Sequence, residues 1–180
     1  MSVNPKIIFE DNELLVIDKP FGVVVNRAET TSNVETIQDF AEGKIEKNTD
    51  NQEFLDRGGI VHRLDKDTSG VMVIAKTSEA FENLKSQFKE RETKKVYLAL
   101  VHGKVEPEVG MVDAPIERSP FNRMHFGIFP GGRPAQTKYS VVKSYNGHSL
   151  LEVEPKTGRT HQIRVHMKYI NHPIVSDRLS

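Results

Sequence analysis

The chain has 180 residues, 37% of them hydrophobic, with 25 basic and 25 acidic side chains that cancel to zero net charge. That is enough for one domain with its own core, and the lack of cysteine excludes disulfides and thiolate metal sites. No apolar run approaches the roughly 20 residues that cross a bilayer, and Met1–Glu10 has no secretory pattern, so the expected protein is soluble and cytoplasmic.

Lys6–Glu10 and Leu14–Asp18 are short β-rich runs around Asp11-Asn12, which predicts a hairpin. Phe21–Val25, after Lys19-Pro20, reads as a further strand. Val34–Lys47 is polar with weak helical periodicity, and Asn48–Asp56 reads as a polar connector, disordered or inserted. Val71–Ala75 is apolar enough for a buried strand. Ser78 is placed to cap a helix whose Phe81, Leu84 and Phe88 share one face. Lys94–His102 alternates like a strand. Thr137–Tyr145 and Ser149–Glu154 flank Asn146-Gly147, a strong hairpin signal. Thr160–Ile170 reads as a helix ended by Asn171 and Pro173. Many strands, three helices and no regular β-α-β alternation predict an α+β fold, a mixed, largely antiparallel sheet flanked by helices.

The zero net charge hides a polarised chain. Ala28–Asp56 carries eight acids and two lysines. Arg118–Lys138 carries four bases and no acid, and Pro155–Ser176 four bases, three histidines and no acid. A local basic face is all that an RNA footprint requires; two solvated faces are the plainer reading of the same charges.

Two motifs stand out. His62–Gly70 packs His, Arg, two Asp, Lys, Thr and Ser into nine residues ahead of an apolar strand, where scaffolds place chemistry. An ordinary polar turn would also use Asp67-Thr68-Ser69-Gly70. The second motif runs from Lys156 to His166. Thr157-Gly158 turns into the helix, whose free N–H groups favour an anion, and His161, Arg164 and Lys168 share one face. Ser86-x-x-Lys89 and Lys156-Thr157-Gly158 mimic elements of penicillin-binding proteins, but Ser86 lies inside an amphipathic helix rather than opening one. No histidines stand at i, i+4, so no metal site is expected.

His62-Arg63-Leu64-Asp65 with Thr68-Ser69-Gly70 resembles the central motif of the RluA family of pseudouridine synthases. Leu14–Pro20 with Gly22 is similar to that family's opening segment, and Lys95-Val96-Tyr97-Leu98-Ala99 to its tyrosine strand. Ala114-Pro115-Ile116 with Arg118, and Ala135 with Thr137, resemble its middle region. Gly158–Met167 followed by His172-Pro173-Ile174 resembles its late motif.

The resemblance implies a single catalytic domain over residues 1–180, short at the C-terminus, with 28–57 as a variable insert. It implies an isomerase that converts a specific uridine in rRNA or tRNA to pseudouridine, as a monomer, without cofactor, metal or membrane. Asp65 would be the catalytic carboxylate, acting as a nucleophile, as a stabiliser of the sugar carbon, or as a base at C2′; the sequence leaves these open. Arg164 would pair with Asp65 and keep it ionised, and Tyr97 would stack on the uracil and relay a proton. The target nucleotide must leave its stack, and Arg63 would fill the space. His62, Arg118, Arg123, Arg133, Arg159, His161 and Lys168 would extend the RNA surface, with Lys138 beside them and Gly131-Gly132 keeping that loop flexible. The alternative is an RNA-binding module that kept the basic surface and lost turnover. Where the family continues after His-Pro-Ile with a small residue and Gly-Asp, this chain has Val175-Ser176-Asp177.

Overall fold

In the computed structural model, which describes residues 3–28, 33–122 and 125–177, the chain divides into two compact units, Met1–Glu92 and Thr93–Ser180. Every strand pairing in both is antiparallel, so the predicted α+β fold is the one observed. No helix among the described residues is long and apolar enough to cross a membrane.

The first unit is a sheet of β1 (Lys6–Glu10), β2 (Leu14–Lys19) and β3 (Gly70–Ala75) in the order β1-β2-β3, with three helices. The predicted hairpin forms because the Asp11 carboxylate accepts the amides of Glu13 and Leu14, at 2.8 and 2.7 Å. Along β2 the period-2 alternation turns Leu15, Ile17 and Lys19 inward. Helix α1 (Ile37–Glu42) opens on a capping box between Thr36 and Asp39. Helix α3 (Ser78–Glu90) is capped by Thr77, one residue ahead of the predicted Ser78. Ile45, Phe54, Ala75 and Phe81 form a small core, with Phe54 and Phe81 edge to face at 5.6 Å.

Two local predictions for this unit fail. Asn48–Asp56 is not a disordered connector: it contains most of α2 (Gln52–Arg57), capped by Asn51 and closed by left-handed Gly58. Phe54, fully buried, and Leu55, packed against the same core, tie a polar segment down. Phe21–Val25 is not a strand, because its backbone is used elsewhere. The carbonyls of Val24 and Val25 accept the first amides of α1, and that of Val23 accepts the Lys19 ammonium.

The second unit holds a four-stranded sheet, β4 (Tyr97–His102), β5 (Val109–Asp113), β8 (Gln136–Tyr145) and β9 (His148–Pro155), in the order β4-β9-β8-β5. A two-stranded ribbon, β6 (Ile116–Arg118) and β7 (Phe126–Ile128), and helix α4 (Gln162–Tyr169) complete it. The Asn146-Gly147 hairpin between β8 and β9 forms as predicted, with Gly147 at φ +76°. Ala99, Val101, Leu151, Val153 and Met167 pack the core. Strands β5, β6 and β7 had no sequence signal; they are short, and Val109 and Met111 of β5 are exposed.

A buried polar network fastens α4 to β8. The Gln162 amide donates to the Gln136 carbonyl and to the Thr137 hydroxyl, both at 2.9 Å, and its oxygen accepts from Thr157 at 2.7 Å. His166 bridges Thr137 through Nδ1 and the Ala114 carbonyl through Nε2. Since a carbonyl only accepts, Nε2 carries the proton and Nδ1 accepts from the hydroxyl.

Candidate active site

In the first unit, the loop His62–Gly70 runs into β3 and carries Asp65, which is half-buried. Leu64 anchors it at 6% exposure, while Arg63, Lys66 and Asp67 lie on the surface. The Thr68 amide donates to the Asp65 carbonyl at 3.1 Å, closing a turn immediately after Asp65. His62 serves the loop's entry. Its Nε2 accepts the Val73 amide at 3.1 Å and its ring stacks on Phe88 at 4.6 Å.

Lys19, which sequence reasoning did not select, braces this loop. It is fully buried, and its ammonium donates to the carbonyls of Pro20, Val23 and Lys66 at 2.9, 2.8 and 3.1 Å. The Lys66 carbonyl also accepts the Gly22 amide. Burial lowers the Lys19 pKa to about 8, against the opposing pull of the Asp67 and Asp65 carboxylates. The available signal was its register: positions 15, 17 and 19 of β2 face inward, and a lysine there requires partners.

In the second unit, α4 presents Arg164. Its Nε donates to Asp177 Oδ2 at 2.8 Å and its Nη2 to Oδ1, a bidentate fork between side chains only 15% and 6% exposed. Asp177, also not selected from sequence, lies in the same unit and holds Arg164 by both oxygens. His161, Arg164 and Lys168 share a face as predicted, and that face lines a cavity of about 420 Å³ with Phe126, Phe129 and Asp177. His161 is the residue before the helix, left-handed at φ +55°, and its ring meets the Phe126 edge at 5.5 Å. The Arg118 guanidinium stands 5.1 Å from the centre of that phenyl ring. Cations and aromatic faces around one cavity suit a nucleotide, whose base stacks while its phosphate is held.

Tyr97 begins β4 and packs against the core of this unit. Arg159 donates through Nε to the Pro134 carbonyl at 3.1 Å, next to exposed Arg133. Lys138 is exposed on β8. Arg123 lies outside the described residues. Gly132 was expected to loosen its loop, but it is a close-approach position: a Cβ there would sit 2.8 Å from the Ile116 backbone, which pairs with Arg133. Among the described residues no group of three or more histidines and carboxylates could hold a metal ion.

Residues 13–169 match the family described as RNA pseudouridylate synthase. A relative from Nitrosomonas europaea, named ribosomal large subunit pseudouridine synthase D, is 43% identical over 172 residues, covering 96% of this chain and 48% of its own. A relative from Blochmanniella floridana with the same name is 43% identical over 177 residues, covering 96% and 52%. An Aquifex aeolicus relative named as an RNA pseudouridine synthase is 44% identical, covering 96% and 54%. The chain therefore spans about half the length of these relatives. Among solved structures, human RNA pseudouridylate synthase domain containing 1 superposes with a TM-score of 0.75 at 28% identity, covering 98% of this chain and 69% of that one. Human RNA pseudouridylate synthase domain containing 4 gives 0.73 at 27%, covering 96% and 67%. With a family match over residues 13–169 and relatives 43–44% identical across 96% of its length, this chain belongs to the RNA pseudouridylate synthase family.

Proposed function

We propose that this chain isomerises a specific uridine in ribosomal RNA to pseudouridine, in the cytoplasm, with Asp65 as the catalytic carboxylate. The observation that carries the reading is one family match over residues 13–169, which takes in Asp65, Tyr97 and Arg164 together. The names of the relatives from Nitrosomonas europaea and Blochmanniella floridana favour large-subunit ribosomal RNA over transfer RNA.

In the reaction the C1′–N1 bond of the uridine breaks and a C1′–C5 bond forms. C5 loses its hydrogen as a proton and N1 gains one, so no electrons are exchanged with any partner. Asp65 acts at the ribose, where a carboxylate meets an electron-poor sugar carbon. Tyr97 stacks on the base and Arg164 supplies a guanidinium to the reacting centre. Arg63, at the loop surface, occupies the space that the extruded base vacates. Arg118, His161 and Lys168 hold the flanking backbone.

The test is incubation with total RNA from a strain that lacks the corresponding gene, followed by chemical mapping of pseudouridine. One new modified position in large-subunit ribosomal RNA is expected. No modification, together with tight and salt-sensitive binding, would mean a binding module instead.

A further inference from the structure

Arg164 and Asp177 stand 13 residues apart and meet in a two-point fork that uses the Nε–Nη2 edge of the guanidinium. Both side chains line the 420 Å³ cavity. Reaching this contact requires the chain to reverse after α4. Left-handed Asn171, at φ +63°, turns it back, and the segment that follows is fastened to β4. The His102 amide donates to the Pro173 carbonyl and the Val175 amide to the Leu100 carbonyl, both at 2.9 Å. Ile174 bridges Val101.

A second reversal comes at Ser176, which is also left-handed at φ +63°. Its neighbour closes the turn, the Asp177 amide donating to the Ile174 carbonyl at 3.2 Å. A serine in this region is strained, and such residues persist where the surroundings impose them. Here the strained turn delivers one side chain, the nearly buried carboxylate of Asp177.

We propose that Asp177 is a positioning residue for Arg164, fixing the plane of the guanidinium so that its Nη1–Nη2 edge is held in one direction toward the reacting centre. This rests on the pseudouridine synthase reading of Arg164. The physical basis is the shape of the group. A carboxylate fork on one edge of a planar guanidinium removes rotation about the terminal bonds, and the direction of the second edge is then set. An arginine on a helix without such a fork samples several rotamers, and a reaction that depends on placement loses rate accordingly. Charge enters as well, because the carboxylate offsets the cost of keeping the Arg164 cation largely out of water.

The plainer role, a staple that only holds the segment after α4 to the helix, predicts different behaviour. Release of tritium from [5-³H]uridine in large-subunit ribosomal RNA transcribed in vitro, under single-turnover conditions, reads the rate. Filter binding reads affinity and thermal melting reads the fold. Asp177→Asn is expected to lower the rate by about tenfold or more with affinity for the same RNA within about threefold of the parent. Asp177→Glu, which keeps the charge, is expected to recover part of the rate. Combining Asp177→Asn with Ser176→Gly, which relieves the left-handed strain, is expected to restore melting temperature but not rate.

A rate within about twofold of the parent in folded Asp177→Asn would overturn the proposal. So would a rate that returns together with melting temperature in the double variant. If the parent chain itself releases no tritium, the functional reading fails, and the side-chain Nε–H resonance of Arg164 tests the positioning separately. Slow exchange in the parent that is lost in Asp177→Asn supports the fixed orientation; unchanged exchange overturns it.

Discussion

The ammonium of Lys19 lies 3.1 Å from the carbonyl oxygen of Lys66, the residue that follows Asp65. Three carbonyls share this one buried cation, and two of them, Pro20 and Val23, belong to the segment after β2. Lys19→Met keeps the apolar stem and removes the donors: the Pro20 and Val23 carbonyls lose this partner, while that of Lys66 keeps the Gly22 amide. The expected loss is about 3 kcal/mol of stability, read by urea denaturation, with turnover falling further than stability because the loop carrying Asp65 loosens.

The same lysine gives a pH signature. Its folded pKa is lowered from 10.5 to about 8. Below pH 8 both folded and unfolded chains carry the charge, and its burial cost is present in full. Between about 8 and 10.5 the unfolded chain binds the proton more tightly, so this group favours folding increasingly as pH rises. The ¹³Cε resonance of Lys19 is expected to titrate with a midpoint near 8; a midpoint above 10 would contradict the desolvated setting.

Asp65→Asn preserves size and most hydrogen bonding but removes the charge. The fold and RNA affinity are expected to remain, while isomerisation falls by about a thousandfold or more. Turnover near that of the parent, in a preparation free of host enzyme, would sink the assignment.

Arg164→Met tests the buried fork from the other side. The Asp177 side chain, 6% exposed, would lose its guanidinium, and breaking such a pair costs about 3 kcal/mol. A lower melting temperature together with lost activity is expected; an unchanged value for both would contradict the pair.

His166 gives a second pH dependence. Burial lowers its pKa, against the Ala114 carbonyl and the Asp113 charge, which raise it. The folded state therefore prefers the neutral ring, with Nδ1 accepting from Thr137. Its contribution is complete above the unfolded value, about 6.5, and declines as pH falls toward the lower folded value. Melting temperature should drop between pH 7 and pH 5, and His166→Gln should flatten that slope.

Much of this molecule was legible from local pattern. Asp11-Asn12 and Asn146-Gly147 specify hairpins by turn chemistry, the Phe81–Phe88 spacing specifies an amphipathic helix, and the segments around Asp65 and Arg164 carry the family resemblance. Such signals lie within a few residues of one another, so composition and period suffice. Helix α2 escaped because its anchors, Phe54 and Leu55, act through contact with a core built by distant residues such as Phe81. Lys19 shows locally only its inward register on β2, and it is a brace because Lys66, 47 residues away, is folded against it. Asp177 stands where the family has the aspartate of Gly-Asp, but its partner is settled only when the turn at Ser176 and the edge of β4 bring it to Arg164. Backbone propensity and turn type are properties of neighbours along the chain, whereas the burial of a charge and the identity of its partner are decided by packing between distant segments.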